Sequence, residues 1–168
     1  MDGGATMAKW STWLTRIGPL LLALASPAQA ASEAASAHDA ALAQSVGADE
    51  RGMRSYVLVI LKTGPTRVPA GPGRDEMFKG HFANIERLSA EGKLVLAGPL
   101  DGVDGWRGLF VLAVTDIEEA RRHVSTDPVI VQGEMVAEYH QYYGSAALML
   151  VRDLHARLQK PATAGAGR

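Results

Sequence analysis

The 168 residues suffice for one domain of ordinary size, and a content of 47% hydrophobic and 21% charged residues is that of a folded protein. A formal net charge of −1 and the lack of any basic stripe remove the electrostatic case for nucleic acid. There is no cysteine, which excludes disulfides, zinc–thiolate sites, thiol catalysis and a lipoprotein anchor together.

Residues 1–30 have the order of a secretory signal. Lys9 and Arg16 supply positive charge, residues 17–25 a short apolar core, and Ala28-Gln29-Ala30 a small-x-small cleavage site. An uncleaved anchor is the alternative, but the apolar run is roughly half of the ~20 residues that a membrane span needs. Cleavage after Ala30 is expected to leave a periplasmic or secreted chain without a membrane segment. Lacking disulfides, that chain must rely on core packing or association. Residues 31–54 are rich in small residues and contain no aromatics, so they read as a flexible tether in which His38 has no evident partner.

The domain is expected over residues 55–143. Residues 56–61 (YVLVIL) are apolar without interruption and predict a first strand covered on both faces. Residues 63–73 hold three prolines and three glycines, the chemistry of a loop long enough to form a rim or lid. A first helix is predicted over 75–91, with Phe78, His81, Ile85 and Leu88 recurring at helical spacing and Glu86 and Arg87 on the opposite side. Gly92 stands where a helix ends in the left-handed conformation that glycine adopts cheaply. A second strand follows over 93–97, a tight turn over 101–105 (DGVDG), and a third apolar strand over 109–114. Asp116 and Glu119 are spaced as a capping box for a second helix, which Asp127-Pro128 stops. Residues 129–132 read as at most one short turn, and 135–142 as a fourth strand of mixed polarity near a sheet edge. A C-terminal helix is expected within 144–160, over 146–158, with Leu150, Leu154 and Leu158 on one side, and a disordered tail over 161–168.

Strand, helix, strand, strand, helix, strand is the split-βαβ, ferredoxin-like order, an α+β protomer with a four-stranded antiparallel sheet. Two helices cover one face of such a sheet, yet the first and third strands are apolar on both faces. A homodimer packed sheet to sheet is the simpler cover for the second face, with the C-terminal helix as the alternative.

In wording as well as order, the chain resembles the YCII-related family of the dimeric α+β-barrel superfamily. The resemblance rests on the opening Tyr56-Val57-Leu58-Val59, on His81, and on Gly92-Lys93-Leu94 leading to Ala97-Gly98-Pro99-Leu100. It continues through Gly108-Leu109-Phe110, Glu119-Ala120 and Asp127-Pro128. It implies a sheet-to-sheet dimer and an active site that contains His81 and Asp127.

Read from the residues alone, His81 is an ionisable ring among core positions, either a packed histidine or a proton carrier, since imidazole exchanges protons near neutral pH. Asp127 is either a turn-forming residue before proline or a carboxylate that fixes the tautomer of His81. His123 beside Arg121 and Arg122 reads as a solvated helix flank, and His140 among Tyr139, Tyr142 and Tyr143 as a rim residue. No ligand spacing among these groups suggests a metal, and no cofactor is expected. Gly98 precedes no helix N-terminus and so forms no phosphate loop. It more readily ends a strand and admits a ligand or backbone, while Arg107 is a candidate for binding an acidic ligand. The leading functional expectation is a cofactor-independent small-molecule enzyme of proton-transfer type, an isomerase, lyase or dehydrohalogenase. A non-catalytic binding domain and a structural dimer module are the alternatives.

Overall fold

The computed structural model describes Met1 and residues 38–160. The signal-like segment, the first part of the proposed tether and the C-terminal tail therefore lie outside the described residues. The last part of the tether is structured, contrary to expectation. Asp39 caps a short helix, α1 (Ala40–Ser45), by accepting the Leu42 amide hydrogen at 2.9 Å. Val46 behind it is buried. The Arg54 guanidinium donates to the Val46 carbonyl at 2.8 Å, and Asp49 accepts from the amides of Arg51 and Met53 and from the Tyr143 hydroxyl. These anchors are polar, and one of them, Tyr143, comes from a distant strand, so composition alone does not reveal them.

The domain then runs β1 (Met53–Thr63), α2 (Pro72–Ala90), β2 (Leu94–Pro99), β3 (Trp106–Leu112), α3 (Ile117–Val124), α4 (Pro128–Val131) and β4 (Met135–Ser145). A 3-10 turn at Ala146–Leu150 and a last helix, α5 (Val151–Leu158), complete it. The sheet order is β2-β3-β1-β4 with every neighbouring pair antiparallel. This is the ferredoxin-like α+β arrangement. The most apolar strand, β1, is central, where both its edges are paired and both its faces are covered. Its Val57, Val59 and Leu61 join Phe110 and Leu112 of β3 against Met77 and Leu88 of α2 and Ala120 and Val124 of α3.

Helix α2 starts at Pro72, three residues earlier than the sequence predicts, because proline is tolerated in a first turn whose amide needs no partner. Its end is as expected. Gly92 has φ 69°, its amide donates to the Ser89 carbonyl at 3.0 Å, and the Lys93 amide donates to that of Leu88 at 2.9 Å. That pair of bonds is the Schellman closure. At α3, Asp116 caps as predicted, accepting the Glu118 amide hydrogen at 3.0 Å. The reciprocal half of the expected capping box is missing, because Glu119 is taken by Lys93 at 2.9 Å and ties the start of β2 to α3. The third strand begins and ends earlier than predicted, and the fourth runs three residues further, to Ser145.

The second sheet face is covered in part by the C-terminal segment, though not by the predicted leucine stripe. Leu154 and Leu158 are exposed, whereas Leu148 and Met149 of the 3-10 turn pack on Tyr56, Val95 and Val111. Cross-strand register puts Tyr56 and Leu58 of β1 on the same face as Leu96, Trp106, Val136 and Tyr142 through direct pairings along the sheet. Those four side chains remain exposed.

Candidate active site

Two short sequence features bring a helix and a turn into contact. Gly80 in α2 faces Pro128, the first residue of α4, so closely that a Cβ there would stand 2.8 Å from the proline Cγ. A glycine inside a helix costs roughly 0.5–1 kcal/mol relative to alanine. Here its missing side chain lets α4 sit directly against α2. The neighbouring residues on each side, His81 and Asp127, then meet, with His81 Nδ1 2.8 Å from Asp127 Oδ2.

The Asp127 carboxylate is wholly buried and each oxygen has work. Oδ1 accepts the Val129 amide hydrogen at 3.1 Å and caps α4, while Oδ2 accepts from His81 and from Asn84 Nδ2 at 3.1 Å. The turn role and the histidine-orienting role, which the sequence leaves as alternatives, are thus filled by different oxygens of one side chain. A buried carboxylate needs such partners, since an isolated one is too costly to desolvate. Asn84 is in turn held by Arg87, whose guanidinium donates to Asn84 Oδ1 at 2.8 Å. Asn84 is absent from the sequence expectations. The available signal was its position three residues after His81, which puts both on one helix face. The buried stripe of α2 is accordingly Met77, His81, Asn84 and Leu88, with Phe78 and Ile85 half-buried beside it.

The other side of the His81 ring borders a cavity of about 450 Å³. The chain has three phenylalanines, and all three surround this ring. Phe110 stacks on it at 6.0 Å, Phe78 meets it edge-on at 6.2 Å, and Phe82 is tilted at 5.5 Å. Among the described residues, Asp127 is the only hydrogen-bond partner of the ring. Because Nδ1 faces an acceptor-only carboxylate, the neutral ring carries its proton on Nδ1 and keeps the Nε2 lone pair free.

Gly98 and Arg107 both line this cavity, as do Pro99 and Gly108. At Gly98 the structure leaves open space, and the close approach of backbone falls on the paired Gly108. A Cβ at Gly98 would meet nothing within 4 Å, whereas one at Gly108 would stand 3.0 Å from the Gly98 carbonyl oxygen. Arg107 belongs to a second polar group that the sequence does not announce, centred on buried Glu134. Glu134 accepts from Arg74 at 2.8 Å and from the Val68 amide at 2.8 Å, with Arg107 at 3.8 Å. It thereby pins the Pro/Gly loop to the start of β4. The Arg74 hydrogen bond, joined by the Val68 amide and the two arginine charges, outweighs burial and holds the Glu134 carboxyl at about 2.

His123, His140 and His155 are not among the residues that line the cavity. His123 sits on α3 with Nε2 3.7 Å from Glu119, and His140 on β4 bonds the exposed Glu138 at 2.8 Å. His38 is exposed ahead of α1. Among the described residues no three His, Asp or Glu side chains are grouped as metal ligands.

The chain thus combines a ferredoxin-like α+β sheet with a histidine that lines an apolar cavity and is backed by a buried carboxylate. The model of the YCII-related domain matches residues 55–140, half of the chain, and the chain belongs to that family. No curated protein matches it. Among solved structures, it is similar to the 5-chloro-2-hydroxyhydroquinone dehydrochlorinase of Burkholderia phenoliruptrix, solved in complex with 2,5-dihydroxybenzoquinone. Identity is 19%, over 51% of this chain and 92% of that one, with a TM-score of 0.38.

The Glu134 cluster gives a pH prediction. Its carboxyl titrates near 4.5 when free and at about 2 when folded. The stability it confers is therefore fully present above about pH 4.5 and is lost as pH falls toward 2. Glu134→Gln cannot titrate, so the gap in urea midpoint between wild type and variant should be widest above pH 5 and narrow steadily below it. Parallel profiles through pH 3 would contradict the pairing.

Proposed function

We propose that the chain is a small-molecule enzyme that moves a proton to or from carbon, with His81 as the base and Asp127 as the residue that positions it. The observation that carries this reading is the 2.8 Å contact between His81 Nδ1 and the buried Asp127 carboxylate beside the cavity. With Nδ1–H committed to Asp127, Nε2 is the nitrogen that meets a bound molecule. It takes a proton from a carbon next to a carbonyl, the C–H electron pair moves into the carbonyl as an enolate, and the carboxylate stabilises the imidazolium that forms. Return of the proton to a different carbon completes an isomerisation. Departure of a leaving group from the adjacent carbon completes an elimination. The phenylalanines exclude water and strengthen these electrostatic terms.

The same reading includes a homodimer. Leu96, Trp106, Val136 and Tyr142 are exposed apolar or aromatic side chains on the sheet face that the C-terminal segment leaves partly open, and a second copy would bury them. Sedimentation of the wild-type chain at micromolar concentration should report a dimer, and Trp106→Glu should shift it toward monomer. A wild-type monomer would end this part of the proposal.

Catalysis is tested by deuterium exchange at carbon, which reports proton transfer whatever the eventual product. A panel of small enolisable ketones and keto acids in D₂O is followed by proton NMR. The wild type should accelerate exchange of at least one member, and His81→Gln should lower that rate by roughly 10²–10⁴-fold, the usual worth of a general base. Asp127→Asn should lower it as well. Equal exchange by wild type and His81→Gln, or none by the wild type across the panel, would overturn the reading.

A further inference from the structure

We infer that the cavity selects a small, flat, singly charged acid, with Arg107 as its anion receptor. This deepens the proton-transfer reading of the same cavity and rests on it for the orientation of the bound molecule.

The cavity wall supplies the argument. Of the twelve residues that line it, His81 and Arg107 alone have polar side chains, and the rest are apolar or glycine. Three aromatic rings are set around the histidine at stacking and edge distances. Such a wall favours a planar apolar body and penalises any polar group that lacks a partner. At about 450 Å³ the space lies toward the small end of ligand pockets, which run from about 300 to 1,000 Å³.

Arg107 has donors to spare. The two Glu134 oxygens already accept short hydrogen bonds from Arg74 and the Val68 amide, and Arg107 stands 3.8 Å from the nearer one. Among the described residues its guanidinium makes no hydrogen bond at all, although its side chain is only 27% exposed. Arg74 is engaged elsewhere, bonded to Glu134 and to the Val68 carbonyl and lying over the Phe78 ring at 4.9 Å. Two arginines around one glutamate leave one positive charge at the cavity wall, held where a planar fork of donors meets a carboxylate or enolate. One receptor of this kind matches one negative charge. Apart from His81, a second anionic group would find only apolar wall.

The division of labour follows. Arg107 fixes the acidic end, the phenylalanines hold the flat body, and the carbon that loses or gains a proton lies against His81.

The probe is benzoate, with benzamide as its neutral isostere and phthalate as the dianion, titrated into the full chain and followed by calorimetry and amide NMR shifts. Benzoate should bind at least tenfold more tightly than either control, with shifts at Phe82, Gly98 and Gly108. Arg107→Gln should weaken benzoate by roughly 10- to 100-fold, the worth of a charged hydrogen-bond pair, and leave benzamide unchanged. Arg107→Lys should recover part of the loss. Equal binding of benzoate and benzamide by the wild type, or benzoate affinity unmoved in a folded Arg107→Gln, would overturn the inference, as would no benzoate binding. His81→Gln separates this inference from the catalytic reading. Benzoate binding that depends on Arg107 should persist in it, so failure of carbon exchange and failure of anion binding are read independently.

Discussion

The arrangement depends on one carboxylate that has been taken wholly out of water. Asp127 is tolerable there only because three donors reach it, the Val129 amide, Asn84 and His81. Those donors come from two elements, the first turn of α4 and one face of α2. The need to satisfy a single charge therefore fixes how the helix and the turn sit against each other. Gly80 against Pro128 is the steric half of the same constraint, and Asp127 is the electrostatic half. The histidine is consequently held from behind, and its free edge is presented to the cavity without any ligand having to arrange it.

A second buried carboxylate repeats the device behind Arg107, a residue of the cavity wall. Glu134 is as deeply buried as a core residue, and it draws the Val68 amide and Arg74 to itself. Its influence on the site is indirect. By taking Arg74 at short range and Arg107 only at 3.8 Å, it leaves the second guanidinium without a hydrogen bond among the described residues. The cavity is thus apolar along its length, with a base at one polar point and a cation at the other.

Much of this was legible in the sequence because the signals are local. The uninterrupted apolar run of β1, Gly92 after α2, the Asp116 cap and Asp127-Pro128 each declare an element or its end through short-range sterics and hydrogen bonding. His81 stands out as a titratable ring in an otherwise apolar stripe, and Asp127 as a carboxylate in a turn before proline. What the sequence does not disclose is long-range. Glu134 meets Val68 and Arg74 from more than sixty residues away in one case and by exactly that separation in the other, and no spacing rule records such a meeting. Asn84 was legible in principle from its place on the His81 face, but asparagine is a weak helix former that gives no sign of being buried inside one. The C-terminal stripe misleads for a different reason. Leu150, Leu154 and Leu158 have helical periodicity, yet the 3-10 geometry of Ala146–Leu150 turns Leu148 and Met149 onto the sheet instead.

The central claim is that Asp127 holds the His81 proton on Nδ1 and leaves Nε2 free toward the cavity. Nitrogen-15 NMR of the histidine side chains reads this directly, because protonated and unprotonated ring nitrogens resonate far apart. At a pH where the ring is neutral, His81 in the wild type should show a protonated Nδ1 and an unprotonated Nε2. Asp127→Asn should lose that preference, since the asparagine amide no longer presents an acceptor on both sides. A wild-type His81 found in the Nε2–H tautomer, or a tautomer unchanged by Asp127→Asn, would contradict the account.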